Sequence, residues 1–124
     1  MGEEIIACLR DLVRAEKIPW AAMTGLGAVG EVTLAYYDPA TKSYTETRFA
    51  EDLEIVSMTG NLAWLGEEPA VHAHGVFSRR DCTTVGGHIM HGVVSVTVEV
   101  MLTVGQKRVE RRPDERVGLN LLAP

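Results

Sequence analysis

The chain has 124 residues, of which 46% are hydrophobic and 23% charged, and its formal net charge is −5 at pH 7. We expect residues 1–124 to form a single domain, since this length can bury one sizeable core. No apolar run approaches the roughly 20 residues that cross a bilayer, and the N-terminus lacks the basic start of a signal peptide, so we expect a cytoplasmic protein without a membrane partner. The acidic balance disfavours nonspecific nucleic-acid binding, which depends on a basic surface.

A helix is predicted near the start of the chain, from Glu3 to about Glu16. Pro19 cannot continue a helix, so we expect the chain to leave it between Ile18 and Trp20. Apolar residues at helical spacing predict an amphipathic helix that covers a sheet. The residues of this apolar stripe are Ile5, Ile6, Leu9, Leu12 and Val13.

A glycine-rich segment follows, and Gly25, Gly27 and Gly30 match the G-x-G-x-x-G pattern of dinucleotide-binding loops. That pattern binds a pyrophosphate only when a helix begins directly after the glycines. Residues 31–37 instead alternate between apolar and polar as a strand does. We therefore interpret the glycines as a turn with close backbone packing and not as a nucleotide site.

The remainder of the chain has the alternation and the turn residues of β-structure. One helix followed by seven or eight mostly antiparallel strands predicts an α+β fold, in which the helix packs on a sheet or a partly open barrel. The predicted strands span residues 31–37, 44–49, 53–59, 61–65, 70–77 and 92–104, with re-entry at Val85, a charged edge segment at 108–112 and a mostly irregular tail at 113–124.

All four histidines lie within a short stretch, from His72 to His91. In a strand, His72 and His74 would point to the same face with their backbones about 6.5 Å apart. His88 follows two glycines, where the backbone can approach another group closely. The pattern predicts three imidazole ligands from two adjacent strands, the donor set of an open zinc site with a fourth position for water. The alternative is that these histidines are polar residues on a solvated strand face and in a loop.

Several motifs distributed over the chain resemble the plants-and-prokaryotes conserved (PPC) domain, in its stand-alone prokaryotic type without an AT-hook. Its most specific parts are the E-[IL]-x-S-x-T-G-N block and the combination of H-x-H with a later G-G-H. The motifs are residues 25–28, 36–39, 54–61, 72–74, 86–89, 97–100 and 112–115, together with Gly118 and Leu119.

The resemblance implies a compact α+β homotrimer whose fold is similar to acetolactate decarboxylase, a zinc enzyme that also uses an H-x-H pair and a later histidine. His72, His74 and His88 match the metal positions, and zinc is the expected divalent ion. His91 has no counterpart and is expected to be a polar neighbour of the site or a donor of a hydrogen bond to one of its ligands. The family usually has a strand before the first helix, so either the start is truncated here or the sheet lacks an edge strand that a partner covers.

Three functions remain open. The first is a homotrimeric metal-binding module for assembly or for recognition of a partner or a small-molecule ligand. The second is a small zinc-dependent enzyme, with Glu54 or Glu99 as the candidate general acid or base. The third is a DNA-binding regulator, which the net charge and the lack of an AT-hook disfavour for this chain alone. A patch formed by Arg79, Arg80, Arg108, Arg111 and Arg112 is interpreted as a solvated face.

Overall fold

The computed structural model describes residues 1–123. It has one helix and seven strands, which confirms the predicted α+β class. Within the described residues, no helix has the length and apolar character to cross a membrane. The elements are α1 (Ile5–Glu16), β1 (Ala21–Asp38), β2 (Ser43–Phe49), β3 (Leu53–Leu65), β4 (Glu68–Ser78), β5 (Thr84–Val104), β6 (Glu110–Asp114) and β7 (Leu119–Ala123).

Four strands close a ring, because β1 pairs with β5 on one side and with β3 on the other. The full order of the sheet is β2-β1-β5-β4-β3-β6-β7. Neighbouring strands are antiparallel except β3 and β6, which meet in parallel at Trp64 and Glu110. The prediction of a mostly antiparallel sheet is therefore confirmed.

The helix is fixed to the sheet at its N-terminus by Glu4. The Glu4 carboxylate accepts hydrogen bonds from the backbone N–H groups of Ile6 and Ala7, which have no partner within the helix. It also accepts one from the N–H of Gly92 on β5, at 3.0 Å. Before the helix begins, Gly2 and Glu3 already make backbone hydrogen bonds with Val94. The chain before α1 thus pairs with β5.

The core lies between α1 and the sheet, where the helix packs against β4 and β5. Four of the five residues in the predicted apolar stripe are buried, whereas Leu12 is 40% exposed. Burying one such side chain contributes about 1.5–3 kcal/mol, so this packing stabilises the helix much more than its intrinsic propensity does. The largest fully buried side chains are Phe77, Leu53, Met58, Leu62, Val13, Val29 and Val32.

The glycine-rich segment is not a turn, so that interpretation is wrong. Gly25, Gly27 and Gly30 all lie inside β1, which continues through to Asp38. The register of β1 shifts at Gly27, whose φ is 148°, and a Cβ there would overlap the carbonyl oxygen of Thr97 on β5. The prediction of close backbone packing at these glycines is thus confirmed. No helix begins after the glycines, so the basis of a pyrophosphate site is missing.

Two further boundaries differ from the sequence prediction. Residues 53–65 form one strand, because Gly60 continues the pairing with β4 where we expected an end. The tail is not irregular: residues 110–114 and 119–123 form a hairpin, β6–β7, that joins the sheet through β3. These short strands have little periodicity of their own, and their pairing with each other and with β3 decides their conformation.

Candidate metal centre

The three predicted histidines are brought together by the register of β4 and β5. His74 on β4 lies directly opposite His88 on β5. His72 lies two residues before His74 on the same strand, so strand alternation places its ring on the same face. The ring of His88 is 5.1 Å from that of His72 and 5.3 Å from that of His74, between centroids. The predicted convergence of three imidazoles from two adjacent strands is therefore present.

Two nitrogens of this histidine cluster have the spacing of metal ligands, and a nitrogen of the third ring lies near them. The Nε2 atoms of His72 and His74 lie 3.2 Å apart, and one nitrogen from each of the three rings falls within 4.8 Å of the others. Two nitrogens bound to one tetrahedral zinc at about 2.0–2.1 Å would be about 3.3 Å apart. In addition, Nδ1 of His88 is buried and has no hydrogen-bond partner in the part of the chain that is described.

The electrostatics of the cluster favour the neutral form of the His72 and His88 rings. Partial burial, the Arg111 guanidinium and the two other histidines lower the pKa of His72 to about 4. The pKa of His88 is also lowered, mainly by burial and then by His74 and Arg111. A neutral imidazole has a free lone pair, which is the form that binds a metal. The donor set of three imidazoles suits zinc and the later first-row divalent ions.

A cleft of about 570 Å³ opens beside His72 and His88. Tyr44 from β2 contributes to its lining, and its ring lies 5.1 Å from that of His88. Arg111 from β6 is a second lining residue, and its Nη2 donates to Oδ1 of Asn61 at 2.6 Å. Asn61 is in turn the register partner of His72. Sequence reasoning did not assign Tyr44 or Arg111 to the site.

The two carboxylates that we considered as catalytic groups do not join the histidines. Glu54 is exposed and pairs in register with Ala28 and Ser78, five residues along β3 from the partner of His74. Glu99 is exposed on β5, eleven residues beyond His88. Within residues 1–123, only the three histidines have ligand atoms close enough to share one ion.

His91 is not one of the histidines whose ligand atoms lie together, and its ring faces Glu4. Its Nδ1 lies 3.6 Å from Oε1 of Glu4, at the start of α1. The register of β1 and β5 shifts between His91 and Ile89, so spacing in the sequence does not give its position.

The arginines of the predicted patch have separate partners. Arg79 pairs with Glu51, Arg108 pairs with Glu110 and lies over the Trp64 ring, and Arg111 lines the cleft. The interpretation as a single solvated face is therefore wrong for Arg111, which is half-buried.

Comparison with known proteins gives a sequence family and several similar structures. Residues 1–106 match the Plants and Prokaryotes Conserved (PCC) domain. A structure from Ralstonia eutropha JMP134, of a protein for which DNA binding has been suggested, is 31% identical with a TM-score of 0.93, and the match covers 99% of this chain and 85% of that one. No curated protein matches the chain.

Two archaeal structures are similar to the same extent. A metal-containing protein from Archaeoglobus fulgidus is 28% identical with a TM-score of 0.91, over 99% of this chain and 87% of that one. A plant- and prokaryote-conserved (PPC) protein from Pyrococcus horikoshii is 28% identical with a TM-score of 0.92, over 99% of this chain and 85% of that one.

Proposed function

Because this chain belongs to the Plants and Prokaryotes Conserved domain family, we propose that it is a homotrimeric protein that binds one divalent metal ion per chain through His72, His74 and His88. Zinc is the ion that we assign to the site. The observation that carries this proposal is the 3.2 Å separation of the His72 and His74 Nε2 atoms, with a nitrogen of His88 in the same group. The similar protein from Archaeoglobus fulgidus, described as metal-containing, supports it.

The chemistry of the donor set favours an open site. Three imidazoles leave a zinc ion one position for water or a ligand, and such an ion acts as a Lewis acid. The cleft beside His72 and His88 gives that position access to small molecules. A ligand-recognition role therefore has direct support from the surroundings of the histidines.

The proposal of a homotrimer rests on a stripe of exposed apolar side chains across four strands. Met101 on β5 and Leu26 on β1 are 73% and 57% exposed, and Val56 on β3 and Val76 on β4 are 52% and 41% exposed. Leu26 lies where β1 meets β3 between the pairs Gly25–Met58 and Gly27–Ile55, close to Val56. Large exposed apolar side chains on neighbouring strands are typical of an interface between subunits.

The two alternative functions have less support. A zinc-dependent enzyme needs a group that transfers protons, and neither Glu54 nor Glu99 lies with the histidines. The suggestion that the similar Ralstonia eutropha protein binds DNA supports the function of a DNA-binding regulator. The net charge of −5 and the pairing of Arg79 and Arg108 with carboxylates oppose it, because DNA affinity comes largely from unpaired cationic groups near phosphates.

The metal content of the purified protein tests the proposal. We expect about one zinc ion per chain by elemental analysis, and a melting temperature that falls when a chelator removes the ion, because an ion that binds only the folded state stabilises it. His74→Ala should lose most of the metal. His74 is exposed, so its replacement leaves the core packing intact.

His91→Ala is the matched control, since it removes an imidazole from the same strand as His88 but outside the cluster. It should retain the metal content of the unaltered protein. If the unaltered protein contained no stoichiometric divalent metal after growth and dialysis with zinc, or if both variants lost it equally, the three-histidine site would be wrong.

A further inference from the structure

The cleft beside the histidine cluster is lined by two chemically different groups of residues. The first group is apolar and includes Leu65 and Leu121, which are about two-fifths exposed although they are large hydrophobic residues. The second group consists of the arginines Arg10, Arg14 and Arg111. A pocket that combines an apolar wall with a few convergent polar groups is the usual form of a small-molecule site.

The charges of this cleft are not balanced by the protein. Its lining includes one carboxylate, that of Glu68, and Oε2 of Glu68 is already paired with Arg14 at 2.8 Å. Arg14 has a second partner in Asp11. Arg111 and Arg10, in contrast, have no carboxylate within 4.0 Å in residues 1–123. The uncompensated positive charge of the cleft therefore lies at these two arginines, of which Arg10 is exposed and Arg111 is half-buried.

Arg111 is held in place but incompletely hydrogen-bonded. Its Nη1 donates to the carbonyl oxygen of Asn120 at 2.9 Å, and its Nη2 donates to Oδ1 of Asn61 at 2.6 Å. A guanidinium has five N–H donors, so most of its donor capacity remains unused. Its Nε is buried without an acceptor in the described part of the chain, and burial lowers the pKa of Arg111. A positioned guanidinium with neutral partners alone is a strong site for an oxyanion.

The position of Arg111 relative to the histidines follows from three adjacent strands. Asn61 on β3 fixes the guanidinium, and the register partner of Asn61 on β4 is His72. Arg111, His72 and His88 line the same cleft. An anion held by Arg111 would therefore also lie beside the metal that we propose for the histidines.

We infer that this cleft binds a small carboxylate compound with an apolar chain, whose carboxylate is held by Arg111 beside the three-histidine metal and whose chain lies against Leu65 and Leu121. The inference rests on the proposed metal centre. A carboxylate suits the planar guanidinium, which binds it through two parallel hydrogen bonds. The apolar wall favours a carboxylate with a hydrocarbon chain over inorganic phosphate, which has no apolar part.

Calorimetric titration of the zinc-loaded protein with sodium butyrate at constant ionic strength tests the inference. We expect saturable binding to the unaltered protein, and at least about tenfold weaker binding to Arg111→Gln, since a hydrogen bond to a charged group contributes about 1.5–3 kcal/mol. In the protein loaded with cobalt in place of zinc, butyrate should change the visible absorption spectrum of the ion. Acetate should bind more weakly than butyrate because it has less apolar surface.

Arg80→Gln is the matched control. It removes the same charge from the loop between β4 and β5, where Arg80 is exposed and does not line this cleft. This variant should bind butyrate as the unaltered protein does. The unaltered protein should bind 1-butanol far more weakly than butyrate, and this comparison decides the question even if Arg111→Gln fails to fold.

Several results would overturn the inference. Stoichiometric zinc without butyrate binding would show that the carboxylate site is wrong, while the proposal of the metal centre would be retained. The carboxylate site would also be wrong if Arg111→Gln bound butyrate with the affinity of the unaltered protein, or if inorganic phosphate bound more tightly than butyrate. A protein that retains no metal under zinc-loading conditions would overturn both proposals, and elemental analysis distinguishes that failure from the others.

Discussion

Arg111 and Asp114 lie three residues apart on β6, and their surroundings give them different roles. Arg111 faces the cleft and has only neutral partners. Asp114 lies at the end of the strand, where both of its carboxylate oxygens accept hydrogen bonds from the Arg116 side chain and one also accepts from the Arg116 backbone N–H. Asp114 therefore fixes the turn of the β6–β7 hairpin that carries Arg111 and Asn120.

The Asp114 carboxylate makes a pH-dependent contribution to stability. Hydrogen bonds from Arg116 lower the pKa of Asp114 in the folded protein to about 2, below the value of about 3.9 in an unfolded chain. The folded state therefore binds the proton less well, and the stabilisation is complete above about pH 4 and is lost as the pH falls towards 2. We expect Asp114→Asn to lower the melting temperature at pH 7, with a difference from the unaltered protein that shrinks between pH 4 and pH 2.

Glu115→Gln is the control for this effect, because it removes a carboxylate from the adjacent position, whose side chain is exposed and has no partner in the described residues. Its melting temperature should follow that of the unaltered protein across the same range. A constant difference between Asp114→Asn and the unaltered protein from pH 7 to pH 2 would contradict the assignment.

At the scale of elements, the pairing of β3 with β4 sets the position of His72. Gly60 on β3 lies opposite Ala73, and a Cβ at Gly60 would overlap the carbonyl oxygen of His72. The two backbones approach this closely only because a glycine is present. The same strand pair carries Asn61, which holds Arg111, so one close contact supports both the metal ligands and the cleft.

Gly60→Ala tests the importance of this contact. We expect it to destabilise the protein by about 1–3 kcal/mol in chemical denaturation, because the strands must separate to admit the methyl group. The metal content should fall as well, since the strand that carries His72 is displaced. In Gly30→Ala the new Cβ would meet its neighbours at 3.6 Å, an ordinary contact, so this variant should keep both stability and metal. Equal effects of the two substitutions would contradict the steric argument.

At the scale of the whole molecule, all four strands of the ring (β1, β5, β4 and β3) carry exposed apolar side chains. The proposed homotrimer would cover Leu26, Val56, Val76 and Met101. The histidine cluster and the cleft also involve β4 and β5. Assembly and ligand binding thus use the same strands in our proposal.

The trimer prediction is tested by light scattering coupled to size-exclusion chromatography. We expect three times the mass of one chain for the unaltered protein, and the mass of one chain for Leu26→Lys, because burying an unpaired charge in an apolar interface is strongly unfavourable. Leu122→Lys is the matched control, since Leu122 is 42% exposed on β7, outside the stripe. It should remain a trimer. A single-chain mass for the unaltered protein would show that the prediction is wrong.

The sequence alone determined the helix, most strands and the identity of the histidine cluster. These depend on local periodicity: helical spacing buries Ile5, Leu9 and Val13, and the two-residue period of a strand places His72 and His74 on one face. The family resemblance, stated from short motifs, is confirmed by the match over residues 1–106. Local patterns are sufficient for such features because each is set by neighbours in the chain.

Only the tertiary structure decided which other residues surround the cluster. Arg111 enters the cleft because β6 joins β3 and places its guanidinium on Asn61, a contact between residues fifty positions apart. The same long-range pairing turns the supposed irregular tail into a hairpin, places Glu54 and Glu99 away from the histidines, and directs His91 to Glu4. Strand register and bulges determine these positions, and both depend on partner strands that are distant in the sequence, so local patterns cannot specify them.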